Sequence, residues 1–228
     1  MKSLITTFYT SSRRFGVAML TSGLLLGCEK KQVEPAAPLV APVTADAAGD
    51  IHCPKSLPKV PGYPELECGC FEVVGLGGSK QAYVKAGATL NFLASAMMET
   101  DKMSTDYPDG SGKRMDSFNA GAAKQNWYMI RTSYPAFRGL QAKDYGRARQ
   151  LNSNRKVDVA VYHAAIKRYG LDRFLAGHRN GQTGTSNPNT RDINRFRAAF
   201  RWTRDRIGSN SAYRINRVRF WVRVPELK

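Results

Sequence analysis

The stretch Leu90 to Arg131, LNFLASAMMETDKMSTDYPDGSGKRMDSFNAGAAKQNWYMIR, decides how this chain is read. Leu90, Leu93, Ala94, Met97 and Met98 recur at spacings of three and four, which predicts a helix with one apolar stripe. Glu99 follows that stripe directly, so its carboxyl is expected at the helix end beside apolar walls. Such a setting disfavours the ionised form and keeps a carboxyl protonated near neutrality, as a general acid requires. Thr105-Asp106-Tyr107-Pro108-Asp109-Gly110-Ser111-Gly112 is dense in turn formers and predicts a hairpin or loop. Gly121 to about Thr132 then reads as a second helix, with Trp127, Met129 and Ile130 inward.

Upstream of this stretch, Leu57 to Pro64 is too rich in proline for a regular helix, and Cys70 to Val74 predicts a short strand. Downstream, Asp144 to Leu151 predicts a short helix. Val157 to Tyr169 predicts an amphipathic helix that Gly170 ends. Leu171 to Ala176 reads as a helical turn, and Gly177 to Gly181 as a loop with too much glycine to be regular. Asn187-Pro188-Asn189-Thr190 caps a last helix that runs to about Ile207. Its apolar side carries Ile193, Phe196, Ala199, Phe200 and Ile207, and arginines 195, 197, 201, 204 and 206 line much of the rest. Tyr213 to Val224 alternates, with Val218, Phe220, Val222 and Val224 on one face and Arg217, Arg219, Trp221 and Arg223 on the other. The expected fold class is α+β, mainly helical with a small β-hairpin and a C-terminal strand, in one domain over residues 51–228.

The first 27 residues read as an export signal. Lys2, Arg13 and Arg14 form a basic start, and Phe15 to Leu26 is a mostly apolar run too short to span a bilayer stably. Leu25-Leu26-Gly27-Cys28 resembles a bacterial lipobox, which implies cleavage before Cys28 and acylation of that residue. Residues 28–50 are rich in Pro, Ala and Val, have no helical or strand period, and form a tether that reaches roughly 70 Å when extended. The expected location is the bacterial cell envelope, lipid-anchored at the outer membrane or cell surface. Exported chains keep disulfides, so Cys53 is expected to pair with Cys68 or Cys70, leaving one thiol over. Cys-Gly-Cys with few histidines is a poor zinc site, so no metal and no cofactor are expected. The formal net charge of +17 favours anionic surroundings such as lipid headgroups or wall polymers. An exported chain is not expected to meet nucleic acid, and a monomer is expected.

Two groups of residues carry a resemblance. The first is Met98-Glu99-Thr100, Tyr107-Pro108, Gly110, Lys113, Asp116, Asn119 and Lys124-Gln125-Asn126-Trp127-Tyr128-Met129-Ile130-Arg131. The second is Ala176-Gly177-His178-Arg179-Asn180-Gly181, Gly184, Asn187-Pro188-Asn189-Thr190 and Asp192-Ile193. Together, over about Gly87 to Ile207, they resemble the glycoside hydrolase family 134 β-mannanases. The resemblance implies a lysozyme-like fold and endo-acting, inverting cleavage of β-1,4-mannan. It implies that Glu99 is the general acid and that an aspartate on the following loop is the base. Inverting chemistry wants its two carboxyls about 6.5–9.5 Å apart, so that a water fits.

Here the sequence departs from the pattern, because aligning Gly110 and Lys113 puts Ser111 in the base position. A serine hydroxyl cannot accept a proton from water at neutral pH. Asp109 is the nearest substitute, with Asp106 and Asp116 as further candidates; either the base has moved to Asp109 or activity is weak, altered or lost. Asp116, Asn119, Gln125, Asn126, His178, Arg179 and Asn180 are expected to line the cleft. Trp127 is either core or a platform for a sugar ring, whose C–H face suits an indole. Two other readings compete with mannan hydrolysis: a peptidoglycan-cleaving lysozyme-like lipoprotein, which the charge favours, and an inactive glycan-binding lipoprotein, which Ser111 favours.

Overall fold

The computed structural model describes residues 51–105 and 108–225. The export signal, Cys28 and the tether therefore lie outside the described residues, as does Asp106. The elements are β1 (Cys68–Glu72), α1 (Leu76–Lys85), α2 (Leu90–Glu99), β2 (Asn119–Ala120), β3 (Gln125–Asn126), α3 (Trp127–Ser133), α4 (Gln150–Ser153), α5 (Arg155–Tyr169), α6 (Leu171–Ser186), α7 (Arg191–Gly208) and β4 (Val218–Val222). This is the mainly helical α+β arrangement that the sequence predicts.

α2 is the central helix. Every residue from Phe92 to Met97 is buried, so it is enclosed almost all round and packs on α7 and β4, where the sequence pattern had shown only one stripe. α7 starts where the Thr190 hydroxyl accepts the Ile193 N–H, and its buried face adds Trp202 and Thr203 to the expected residues. Arg197, expected on the solvent side, is buried instead; its guanidinium donates to the Asp172 carbonyl at 2.7 and 3.0 Å. A second, smaller core of Phe118, Trp127, Ile130, Phe137, Leu151 and Val161 lies under the β2–β3 hairpin.

The C-terminal strand pairs antiparallel with β1, from Cys68 opposite Val222 to Glu72 opposite Val218. Phe220 and Val218 face the core, and Trp221 and Arg219 face outward, as the alternation requires. Cys53 bonds Cys70, which ties the N-terminal arm to β1, and among the described residues Cys68 is the free thiol. Lys80 of α1 is fully buried and donates to the carbonyls of Tyr213 and Val218 at 2.7 and 2.6 Å, fixing the approach to β4. Among the described residues no helix is long and apolar enough to cross a membrane.

Two local expectations change, and a third resolves to one of its alternatives. Of the hairpin or loop expected over 105–112, the described part from Pro108 onward is a loop of tight turns running to Lys113, with a bridge from Gly110 to Asn119, and the hairpin forms from Asn119 to Asn126. Residues 121–124 turn instead of starting a helix, because Gly121 and Lys124 have φ of 76° and 43°, so α3 begins at Trp127. The expected Gly177–Gly181 loop is helical through Arg179. Gly177 is small because its neighbours are close: a side-chain carbon there would meet Met129 Sδ and Thr185 Cγ2 at 2.7 Å. The helix breaks only at Asn180 and Gly181, where Gly181 takes φ 59°.

Candidate active site

The C-terminal end of α2, the broken middle of α6 and the β2–β3 hairpin converge on one cleft of about 350 Å³. Glu99, Lys113, Asn119, His178, Arg179, Asn180, Asp192 and Phe196 line it. Its polar lining suits a hydroxyl-rich ligand better than an apolar one.

Glu99 Oε1 lies 3.1 Å from His178 Nε2. Burial pushes the Glu99 carboxyl up to about 7, although Lys124, Lys113 and Arg179 draw it back toward the ionised form. Burial also drives His178 down to about 4, helped by the Arg179 and Lys113 charges. The imidazole lies between Phe174 and Phe196, with ring centroids at 6.0 and 5.6 Å, which explains why its charged form is disfavoured. Near neutrality the pair therefore holds a neutral imidazole and a carboxyl poised between its protonated and ionised forms. His178 Nδ1 is buried with no hydrogen-bond partner. A bare lone pair there costs less than an orphaned N–H, so the favoured tautomer carries its proton on Nε2 and donates to Glu99 Oε1. That leaves Oε2 to carry the acid proton.

Asn126 locks this geometry. Its side-chain oxygen accepts the Met129 N–H and so caps α3, while its amide donates to the Gly177 carbonyl, one residue before His178, at 2.8 Å. Gln125 is buried and bonds Asp158 rather than the cleft. Asp158 also accepts the Ala122 N–H at 2.8 Å and the Tyr83 hydroxyl at 3.3 Å, so it organises the turn between β2 and β3. Burial pushes Asp158 up to about 7 against those hydrogen bonds. Gly121 has to be glycine, since a side-chain carbon there would meet Asp158 Oδ1 at 2.1 Å.

The structure brings together Glu99, Asn119, His178, Arg179 and Asn180 from the sequence candidates, with Asn126 behind them. It keeps others apart. Trp127 is fully buried, and its indole N–H donates to the Gln141 carbonyl, so in this arrangement it is core. Asp116 is held by Arg131 through both oxygens at 2.6 and 2.8 Å. Asp109 is held by Arg149 on an exposed loop outside the cleft lining, the closest contact being 2.6 Å. Ser111 sits at φ 57° with its hydroxyl buried and unpartnered. Asp192, named among the residues that carry the resemblance but not as a cleft residue, and Phe196, expected on the apolar side of the last helix, also line the cleft; Asp192 takes a bidentate pair from Arg179 at 2.9 Å. Asp158 escaped notice although its signal was present. It is an acid placed three and four residues before Val161 and Tyr162 on a helix face that is otherwise buried and apolar. Among the described residues no cluster of His, Cys, Asp and Glu could hold a metal ion.

No curated protein matches the chain at a significant level. The family model for glycosyl hydrolase family 134 matches residues 77–224, which runs from α1 through β4 and takes in every group that lines the cleft. This chain therefore belongs to glycosyl hydrolase family 134.

Proposed function

We propose that the chain is an endo-acting, inverting hydrolase of β-1,4-mannan or a closely related β-1,4-glycan, held at the bacterial envelope by an acylated Cys28. In this reading Glu99 is the general acid and Asp109 the general base. The observation that carries it is the Glu99 carboxyl, kept protonated up to about pH 7 in the wall of a polar cleft. From there Oε2 can give its proton to the glycosidic oxygen as the bond to the anomeric carbon breaks, while His178 steadies Oε1.

Inversion also needs a carboxylate that takes a proton from water on the opposite face of the sugar. Both oxygens of Asp192 are filled by Arg179, in a pair that is nearly buried. The Asp109–Arg149 pair differs, because its side chains are 51% and 57% exposed. Exposed pairs of this kind contribute about 0–1 kcal/mol, so a small loop movement on substrate arrival can release Asp109 at little cost. Gly110, its neighbour, already bridges to Asn119 in the cleft wall.

A second reading, hydrolysis of peptidoglycan, is favoured by the three cations whose fields reach Glu99, namely Lys124, Lys113 and Arg179, since they suit an anionic wall glycan. Product release from linear β-1,4-mannan and from peptidoglycan in parallel separates the two. With mannan, wild type and Arg149→Ala are expected to release oligosaccharides and Asp109→Asn to release none. Muropeptides in place of mannan oligosaccharides would move the assignment to the wall, and full activity of Asp109→Asn would move the base elsewhere.

A further inference from the structure

The outer face of the β1–β4 sheet is tied to the cleft at both ends of β4. Arg219 donates to the Met97 carbonyl in the last turn of α2 at 2.8 Å and pairs with Asp101, just past the helix, at 3.3 Å, so it holds the chain on either side of Glu99. Three residues after β4 ends, the Pro225 carbonyl accepts from Arg179, which lines the cleft. Between these two ties the sheet presents aromatic surface. Phe71 is 40% exposed with the Arg219 guanidinium 5.4 Å from its ring, and Trp221 is half-buried opposite Gly69. A side-chain carbon on Gly69 would meet three atoms of the Trp221 indole at 2.8 Å. The missing side chain is what lets the indole lie across the strand, with one side of the ring against backbone.

We propose that Trp221, with Phe71 beside it, is a platform for a further pyranose of the same β-linked chain that the cleft holds, so that the glycan continues from Glu99 onto the sheet. This rests on the glycan-hydrolase reading and extends it. An indole supported from below by Gly69 suits the C–H face of a sugar ring, and Phe71, with the Arg219 guanidinium 5.4 Å from its ring, extends the aromatic surface on the same face of the sheet. A substrate cut in its interior must run past the cleft, and this aromatic face is fastened to the cleft by Arg219 and Arg179.

The test uses the full-length Glu99→Gln protein, which binds without turnover in this account, and measures binding of mannotriose and mannohexaose by calorimetry. Trp221→Ala is expected to weaken mannohexaose roughly three- to tenfold and to leave mannotriose unchanged, with Trp221→Tyr recovering most of the loss. A variant damaged in folding would lose both ligands together, and circular dichroism checks this directly. Equal affinities for mannohexaose in Trp221→Ala and its parent overturn the platform while leaving the hydrolase intact. If neither oligosaccharide binds the parent at all, the mannan reading falls, and the platform with it. If Trp221→Ala instead loses binding to vesicles containing anionic lipid, with mannohexaose unaffected, the face is a membrane contact and the platform is wrong.

Discussion

Asp158 offers a test of how burial tunes this site, because the expected effect has both a sign and a size. Its carboxyl is fully buried behind the cleft hairpin and is raised from 3.8 to about 7 by desolvation, despite accepting from Ala122, Gln125 and Tyr83. A carboxyl whose folded value is raised stays protonated in the native state while the unfolded chain ionises. Its stability is therefore present at low pH, declines as the pH rises past 3.8, and stops declining once the pH has passed about 7. Three units at 1.36 kcal/mol each make the swing about 4 kcal/mol. Asp158→Asn abolishes this titration, at a roughly constant cost of about 1–3 kcal/mol for turning an amide N–H toward donors. Urea unfolding from pH 4 to 8, with both proteins carrying Glu99→Gln so that Glu99 does not titrate, reads the difference. The variant is expected to start below its parent and to gain about 4 kcal/mol on it by pH 8. Parallel stability curves would refute the argument, because they would mean that Asp158 ionises as easily inside the fold as outside it.

Other consequences follow from the same packing. Gly121→Ala forces a carbon onto Asp158 Oδ1 at 2.1 Å with φ at 76°, so it should cost upward of about 2 kcal/mol in the same urea assay and weaken catalysis with it. Replacing Cys53 and Cys70 by serine should lower stability by about 2–4 kcal/mol, and thiol labelling of the native wild type should find Cys68 but neither of the paired residues. Arg149→Ala should change stability by less than about 1 kcal/mol while keeping hydrolysis, which would separate a resting contact of Asp109 from a structural one. The rate of glycan hydrolysis should fall as the pH rises above about 7, where Glu99 loses the proton that it gives, and a rate that keeps climbing with pH would count against the acid role.

The fold class and the central helix were legible because their signals are local. α2 advertises itself through its apolar spacing, and β4 through strict alternation. What was not legible depends on partners far along the chain. α1 hides behind Gly77 and Gly78, and Gly77 is small because a side-chain carbon there would come within 3.1 Å of the Ile215 carbonyl. The turn at 121–124 follows from Asp158, which lies in a different helix. α6 runs on through Gly177 because Met129 packs against it. Strand alternation places Cys68 and Cys70 on the same face of β1, so the choice of partner for Cys53 depends on where the N-terminal arm arrives. The site was half legible: Glu99 and His178 stand out in sequence, whereas the arginines that occupy Asp109, Asp116 and Asp192 are visible only in space.

The most direct measurement is release of reducing ends from linear β-1,4-mannan by wild type and by Glu99→Gln, with both proteins shown to be folded by circular dichroism. The account predicts soluble mannan oligosaccharides from wild type and a loss of at least about a hundredfold in the variant, the scale of a missing general acid. Equal release by the two proteins would contradict it, and so would a folded wild type that leaves the polymer uncut.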